Sequence, residues 1–280
     1  MKLAAGELPL MATLVRQLAG VHLDDSKGYL VESRLGPIAE RHGCSNFNEL
    51  YFRLRYEPKP ALVQEVVDAI TTHETSWFRD GAPYDALQFK VGPESIDARA
   101  RTGSPRKLRI WSAACSTGQE PYGLAMVLSE LIPDIASWDL QILATDISKS
   151  SIDAAVKASY STNDVARTQR PNAMARWFDV TPAGAVVKPV ITRLVTFRQL
   201  NLLEPLFGIG PFDVVFLRNV LIYFDKATKL KVLQSIKSVL MPHGWIFVGG
   251  TENLGEAGPE WVPQTHCRAI VYQPNATVRK

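Results

Sequence analysis

Cysteine is scarce in this 280-residue chain: Cys44, Cys115 and Cys267 are odd in number and widely spaced. That excludes a disulfide framework and matches no zinc-ligand spacing, so reduced thiols in a cytoplasmic protein are expected. No apolar run approaches the ~20 residues of a membrane span, so no membrane insertion is expected. The first fifteen residues carry one lysine and are broken by Glu7 and Pro9, unlike a signal peptide. Charge of one sign is missing too. Residues 1–110 hold 15 basic and 14 acidic groups and the remainder 16 and 14, for a net +3, so neither half is a polycation suited to nucleic acid. There is no internal repeat, no low-complexity segment and no G-x-G-x-x-G. What is present, 46% hydrophobic and 21% charged residues, belongs to a globular protein long enough for two domains.

Residues 1–80 lack a convincing strand. Leu10, Leu14, Val15 and Leu18 make one helical face, and further helices are expected over 29–41, 47–56 and 62–70. Lys27, Arg34 and Arg41 stand seven apart and predict one cationic stripe, either a solvated face or a docking stripe for an acidic partner. Gly, Pro, Ser and Arg crowd the following stretch, so 81–107 reads as a linker. From residue 108 strands and helices alternate: strands at 108–111, 140–145, 212–217, 245–248 and 269–272, helices at 150–159 and 226–240. That rhythm predicts an α/β fold with a mostly parallel, doubly wound sheet. Residues 185–188 and 191–198 break it and predict short antiparallel strands, a small β-subdomain at about 180–198.

The stretch around which these elements are arranged is 108–131. A β-prone run leads into a turn of small residues, Ser112 to Gly118, and then an amphipathic helix with Pro121 in its first turn. Strand, turn, helix is how an open α/β sheet offers backbone N–H groups to a ligand, although an ordinary buried βα unit reads the same way. With only Gly118 and Gly123 nearby, the turn lacks the diphosphate cradle that NAD or FAD needs. S-adenosylmethionine, which has no diphosphate, asks for other parts. Asp146, at the end of the second strand, could accept from both ribose hydroxyls or simply cap the next helix. Glu120 could face the polar tail of the ligand or merely suit the helix dipole. Asn219 follows the 212–217 strand at its ligand-binding end, where a plain turn asparagine would also fit.

Five motifs together carry a resemblance: T-T-x-E-T-x-x-F-R at 71–79, W-S-A-A-C-S-T-G-x-E-P-Y at 111–122, A-T-D-I at 144–147, F-R-x-L-N-L at 197–202 and F-D-V-V-F-x-R-N-V-L-I-Y-F at 212–224. Over nearly its whole length the chain resembles the chemotaxis receptor glutamate O-methyltransferases. The resemblance implies an all-α N-terminal domain (1–80) and an S-adenosylmethionine-dependent, Rossmann-like methyltransferase domain with its β-subdomain (108–280). It implies cofactor contacts from His73, Thr75, Arg79, Glu120, Asp146, Asn201, Leu202, Asn219 and Val220, with S-adenosylhomocysteine as product and no metal. His73 departs from the family's usual asparagine, which would make its contact pH-sensitive near ~6.5. Gln119 replaces a frequent glutamate.

The resemblance further implies methyl transfer to glutamates in the cytoplasmic helical bundle of chemoreceptors. A glutamate is already an anion at neutral pH, its unperturbed pKa being ~4.3, so no general base is needed. Positioning would supply the rate, with Arg79 clamping carboxylate oxygens and Tyr223 lining the methyl channel or else sitting in the core. Lys27, Arg34 and Arg41 would dock the receptor. Some members grip a receptor C-terminal peptide on the β-subdomain by strand addition. A monomer is expected. Two rival classes remain: a non-catalytic S-adenosylmethionine-sensing adaptor, and a nucleic-acid methyltransferase. Against the second, Arg218-Asn219-Val220-Leu221 stands where base methylases carry an Asn/Asp-Pro-Pro-aromatic loop.

Overall fold

The computed structural model describes residues 1–168, 170–182 and 184–275; the end of the expected second domain, 276–280, lies outside them. Four helices build the N-terminal part: α1 (Glu7–Ala19), α2 (28–41), α3 (Phe47–Tyr56) and α4 (Pro60–Ile70). Local chemistry sets their ends. Asn46 caps α3 by accepting from Glu49 N, and Pro60 opens α4 where its missing N–H costs nothing. Their apolar faces close a core around Met11, Leu35, Phe47 and Leu50.

Next comes α5, residues 82–101, helical throughout and with a wide π turn at Leu87–Val91. The linker expected over 81–107 is therefore replaced, for most of its length, by a packed helix. Pro83 sits in the first turn and Pro93 follows directly on the π turn, while a Cβ on Gly92 would come within 2.6 Å of Leu87 O and 2.7 Å of Leu131 Cδ2. Here glycine serves the π turn first and close approach to the neighbouring helix second, and Arg99 is buried in a two-bond pair with Asp213 (2.7 and 3.0 Å).

The second part holds β1 (Lys107–Ala113), α6 (Gln119–Leu131), β2 (Asp139–Asp146), α7 (Lys149–Lys157), β3 (Ser159–Tyr160), β4 (Phe178–Thr181), β5 (Gly184–Val187), β6 (Val195–Gln199), β7 (Phe212–Leu217), α8 (Lys226–Ser238), β8 (Leu240–Val248), β9 (Trp261–His266) and β10 (Ala269–Pro274). The main sheet runs β6-β2-β1-β7-β8-β10-β9, parallel from β6 to β8 and closed by the antiparallel β10 and β9. Every residue of β7 is buried, as its apolar run required of a central strand. Helix α6 is buried nearly all round, because α5 covers the face that an amphipathic helix would give to water.

The expected β-subdomain is a three-stranded antiparallel sheet, β3-β5-β4, but it is drawn from 159–187. Residues 191–198 do not belong to it. Val195–Gln199 pairs in parallel with β2 as the edge of the main sheet, where Val195 and Phe197 complete the core over Ile142 and Ala144. Alternation in a short strand says which face is buried, not which neighbour it pairs with.

Candidate active site

Reversal of strand order between β1 and β7 opens a crevice at their carboxyl ends, the place where open α/β sheets bind ligands. The turn after β1 forms one wall. Ala114, Ser116 and Gly118 take positive φ values of 60°, 49° and 96°, which folds the chain tightly, with Cys115 N donating to Thr145 O (2.9 Å) and Gly118 N to Cys115 O (3.1 Å). Ser116 N donates to Asp146 Oδ2 (2.8 Å) and Ser148 N to Oδ1 (2.9 Å), so the carboxylate at the end of β2 is clamped by two amides. Burial nevertheless dominates and raises its pKa above the ordinary carboxylate value. Each oxygen keeps acceptor capacity for a further donor.

Across the crevice, Arg218 follows β7 with a side chain 2% exposed. It donates to Glu120 Oε2 (2.9 Å), Asp80 Oδ2 (2.7 Å) and Arg79 O (2.8 Å), while Ser112 holds the other oxygen of Glu120 at 2.8 Å. Burial opposes the charge, but the carboxylates, Glu120 foremost, outweigh it and raise the Arg218 pKa. Burial pushes the neighbouring Tyr84 hydroxyl upward as well. Asn219 sits at φ 57°, held by Glu252, whose carboxylate accepts from Asn219 N (2.7 Å), Gly249 N (2.6 Å) and Ile222 N (3.2 Å).

The helical part forms the rest. His22 N donates to Tyr223 O (2.8 Å), Val21 bridges to Phe224, and Asn201 donates to Leu18 O (2.9 Å). Residues 19–34 thereby complete one cleft that contains all of the expected cofactor-contact residues together with Tyr223, Lys27 and Arg34. Thr75, Leu202 and Val220 line it directly, and Tyr223 is half-buried rather than part of the core.

Two of these residues also have partners within the protein, and one expectation is corrected. His73 reaches the cleft, but its ring is committed within the protein: Nε2 lies 3.0 Å from both Asp68 O and Thr71 Oγ1, and Nδ1 lies 3.0 Å from Ser151 Oγ. Since Asp68 O can only accept, Nε2 donates to it, and Ser151 Oγ partners Nδ1. The imidazole therefore joins the two parts of the molecule at the cleft lining. Asn201 is similar, its amide spent on Leu18 O and Leu203 N. Finally, Lys27, Arg34 and Arg41 make no free stripe. The wide turn at Val31–Leu35 takes up an extra residue, so a seven-residue repeat does not follow one straight face. Arg34 donates to Ile70 O and Thr71 O, Arg41 pairs with Glu65, and Lys27 pairs with Asp24 at 3.3 Å.

Sequence reasoning missed Arg218, Asp80, Glu252 and Tyr84. A signal existed for Arg218, a charge closing a continuous apolar run. Glu252 lay in a loop with none.

The residues fit a sulfonium nucleoside: a buried carboxylate after β2, a turn without a diphosphate cradle, and two buried polar atoms of the cleft lining, Tyr84 Oη and Arg218 Nε, without a hydrogen-bond partner among the described residues. Among the described residues no His/Cys/Asp/Glu cluster could hold a metal ion, and no helix is long and apolar enough to cross a membrane. Fold and site together define an S-adenosylmethionine-dependent methyltransferase. Residues 6–71 match the family described as CheR methyltransferase, all-alpha domain, and residues 73–271 match CheR methyltransferase, SAM binding domain. The chain belongs to the CheR methyltransferase family, the S-adenosylmethionine-dependent methyltransferases of chemotaxis. It is 39% identical to chemotaxis protein methyltransferase 1 of Pseudomonas aeruginosa, over 98% of this chain and 99% of that one. Identity to chemotaxis protein methyltransferase Cher2 of Pseudomonas putida is also 39%, over 92% and 94%. Chemotaxis protein methyltransferase 1 of Vibrio cholerae is 38% identical over 84% of each chain.

Proposed function

We propose that the protein methylates glutamate side chains of chemoreceptors, producing glutamate methyl esters for sensory adaptation in the cytoplasm. The observation that carries this reading is Arg79 on the cleft lining, a guanidinium with no carboxylate partner among the described residues, set across from Glu120 and Asp146, which Arg218 and two amides already hold. Such a lining suits an anionic acceptor, which needs alignment and partial desolvation but no proton removal.

S-adenosylmethionine supplies an electrophilic methyl group when bound. Asp146 would hold the ribose hydroxyls, while the Glu120–Arg218 pair, Asn219 and Thr75 would hold the polar parts. Arg79 has one weak internal bond, Nη1 to Glu74 O at 3.3 Å, which leaves most of its fork to orient a carboxylate. Tyr223 lines the same cleft and would border the acceptor's path. Peptide capture by strand addition would use the outer edge of β4.

Labelled S-adenosylmethionine incubated with the enzyme and receptor-containing membranes, then treated with mild base, tests the reaction class. Release of label as methanol is expected. Base-stable label would indicate N-methylation instead, and no label a non-catalytic adaptor. In this assay Arg79→Ala should lower receptor turnover at least ~100-fold, the scale of losing one preorganised charge contact. Turnover near wild type with cofactor bound would remove Arg79 from that role.

Glu252 acts one step back, by fixing the left-handed Asn219. Glu252→Gln leaves a single acceptor oxygen for three N–H groups, and affinity for S-adenosylhomocysteine should drop about tenfold by calorimetry. Unchanged affinity would make Glu252 a loop residue only.

A further inference from the structure

Residues 219–223 form a ridge between two depressions. Tyr223 lines the cofactor cleft on one side; Leu221 and Ile222 line a second groove on the other, completed by the start of α8 and the loop after β8. Two features set this groove apart. Ile222 and Leu230 stand on its rim 50% and 39% exposed, apolar side chains grouped around an indentation instead of scattered singly. Lys226 and Lys229 line it too, and neither ammonium has an ion-pair or hydrogen-bond partner among the described side chains. The acid in the groove, Glu252, is spent on three main-chain N–H groups, and through them it ties the two sides of the ridge together: Asn219 N toward the cleft, Ile222 N toward the groove.

We propose that this groove is a docking surface for the substrate helix, an acidic amphipathic helix that carries the acceptor glutamate; the proposal rests on the glutamate reading of the reaction. On a helix, side chains three or four residues apart share a face about 5.4 Å from one another. When the acceptor carboxylate enters the cleft beside Tyr223, an apolar neighbour one or two turns along that face crosses the ridge to Ile222 and Leu230. Acidic side chains flanking it meet Lys226 and Lys229. Attraction of this kind sets register and encounter rate more than final affinity, so the groove selects which glutamate faces the cleft.

The test compares the double variant K226E/K229E, the single variant Ile222→Asp, and a control of equal charge change, K157E/R193E, on exposed residues that line neither depression. Co-sedimentation with receptor-containing membranes reads docking independently of chemistry. K226E/K229E should bind about tenfold more weakly at low salt, as two exposed attractions become repulsions, with the difference shrinking as salt rises. The receptor KM should rise in parallel, with kcat at saturating receptor within about twofold and S-adenosylhomocysteine affinity unchanged. Ile222→Asp should weaken docking with little salt dependence. Equal behaviour of K226E/K229E and the control overturns the proposal, as does wild-type enzyme that sediments no better with receptor than without it. Lysine-dependent sedimentation without base-labile label would keep the docking surface and discard glutamate as the acceptor.

Discussion

Replacing Asp146 with alanine is expected to weaken S-adenosylhomocysteine binding at least ~100-fold, because bonds to a charged acceptor contribute about 1.5–3 kcal/mol each and a ribose offers two donors. The same change frees Ser116 N and Ser148 N, which the carboxylate now holds at 2.8 and 2.9 Å, so the turn after β1 loses its anchor as well. Asp146→Asn separates the two effects, since it keeps the shape and removes the charge. Burial holds the Asp146 carboxyl above its ordinary value in the free protein. Donors from a bound ribose favour the ionised form and pull that value back down. The bound state therefore holds fewer protons across the interval between the two values. Affinity is full above the raised value and falls, by at most tenfold per pH unit, as pH drops through it. Calorimetry from neutral toward acid pH should show this decline in the wild type and not in Asp146→Asn. A pH-independent wild type, or an Asn variant that binds normally, would move the ribose elsewhere.

Arg218→Met is expected to damage both stability and activity. Its guanidinium bridges Glu120, Asp80 and the Arg79 carbonyl with a side chain 2% exposed. Removing one member of a buried pair leaves the other uncompensated, at about 3–5 kcal/mol. For a chain of this size that is a fall in Tm on the order of 10 °C by calorimetry. Methyl transfer should be lost beyond what unfolding explains, because the Arg79 backbone and Glu120 both take their positions from Arg218. Arg218→Lys restores charge without the planar fork and should recover much of the Tm but little of the activity. Met and Lys variants with equal activity would show that charge alone matters; a wild-type Tm for Arg218→Met would show that the pair is not structural.

The cleft was legible where chemistry stayed close to a periodic element. Asp146 ends a strand, Asn219 follows an apolar run, and the missing glycine fingerprint excluded a diphosphate, so three parts of the site could be read before the fold was known. His73 and Asn201 were legible as cleft residues, whereas their side chains turned out to be committed to Asp68, Thr71, Ser151 and Leu18. Motif position does not reveal which partner a side chain finds across 78 or 183 residues of chain. The segment 82–101 misled because glycine and proline mark loops on average, yet both also serve helix starts and close helix packing.

By itself the sequence determined the class of fold: the alternation of elements, the central buried strand, the helical start and a nucleoside site without a diphosphate. Those follow from hydrophobic period and local turn chemistry, which act over a few residues. Tertiary structure alone decided that 195–199 joins the main sheet, that residues 19–34 complete the cleft, that Arg218 holds Glu120 and Asp80, and that Lys226 and Lys229 line a groove beside the ridge. Strand pairing and buried ion pairs depend on which distant groups meet when the core closes, and no local pattern in the chain records that meeting.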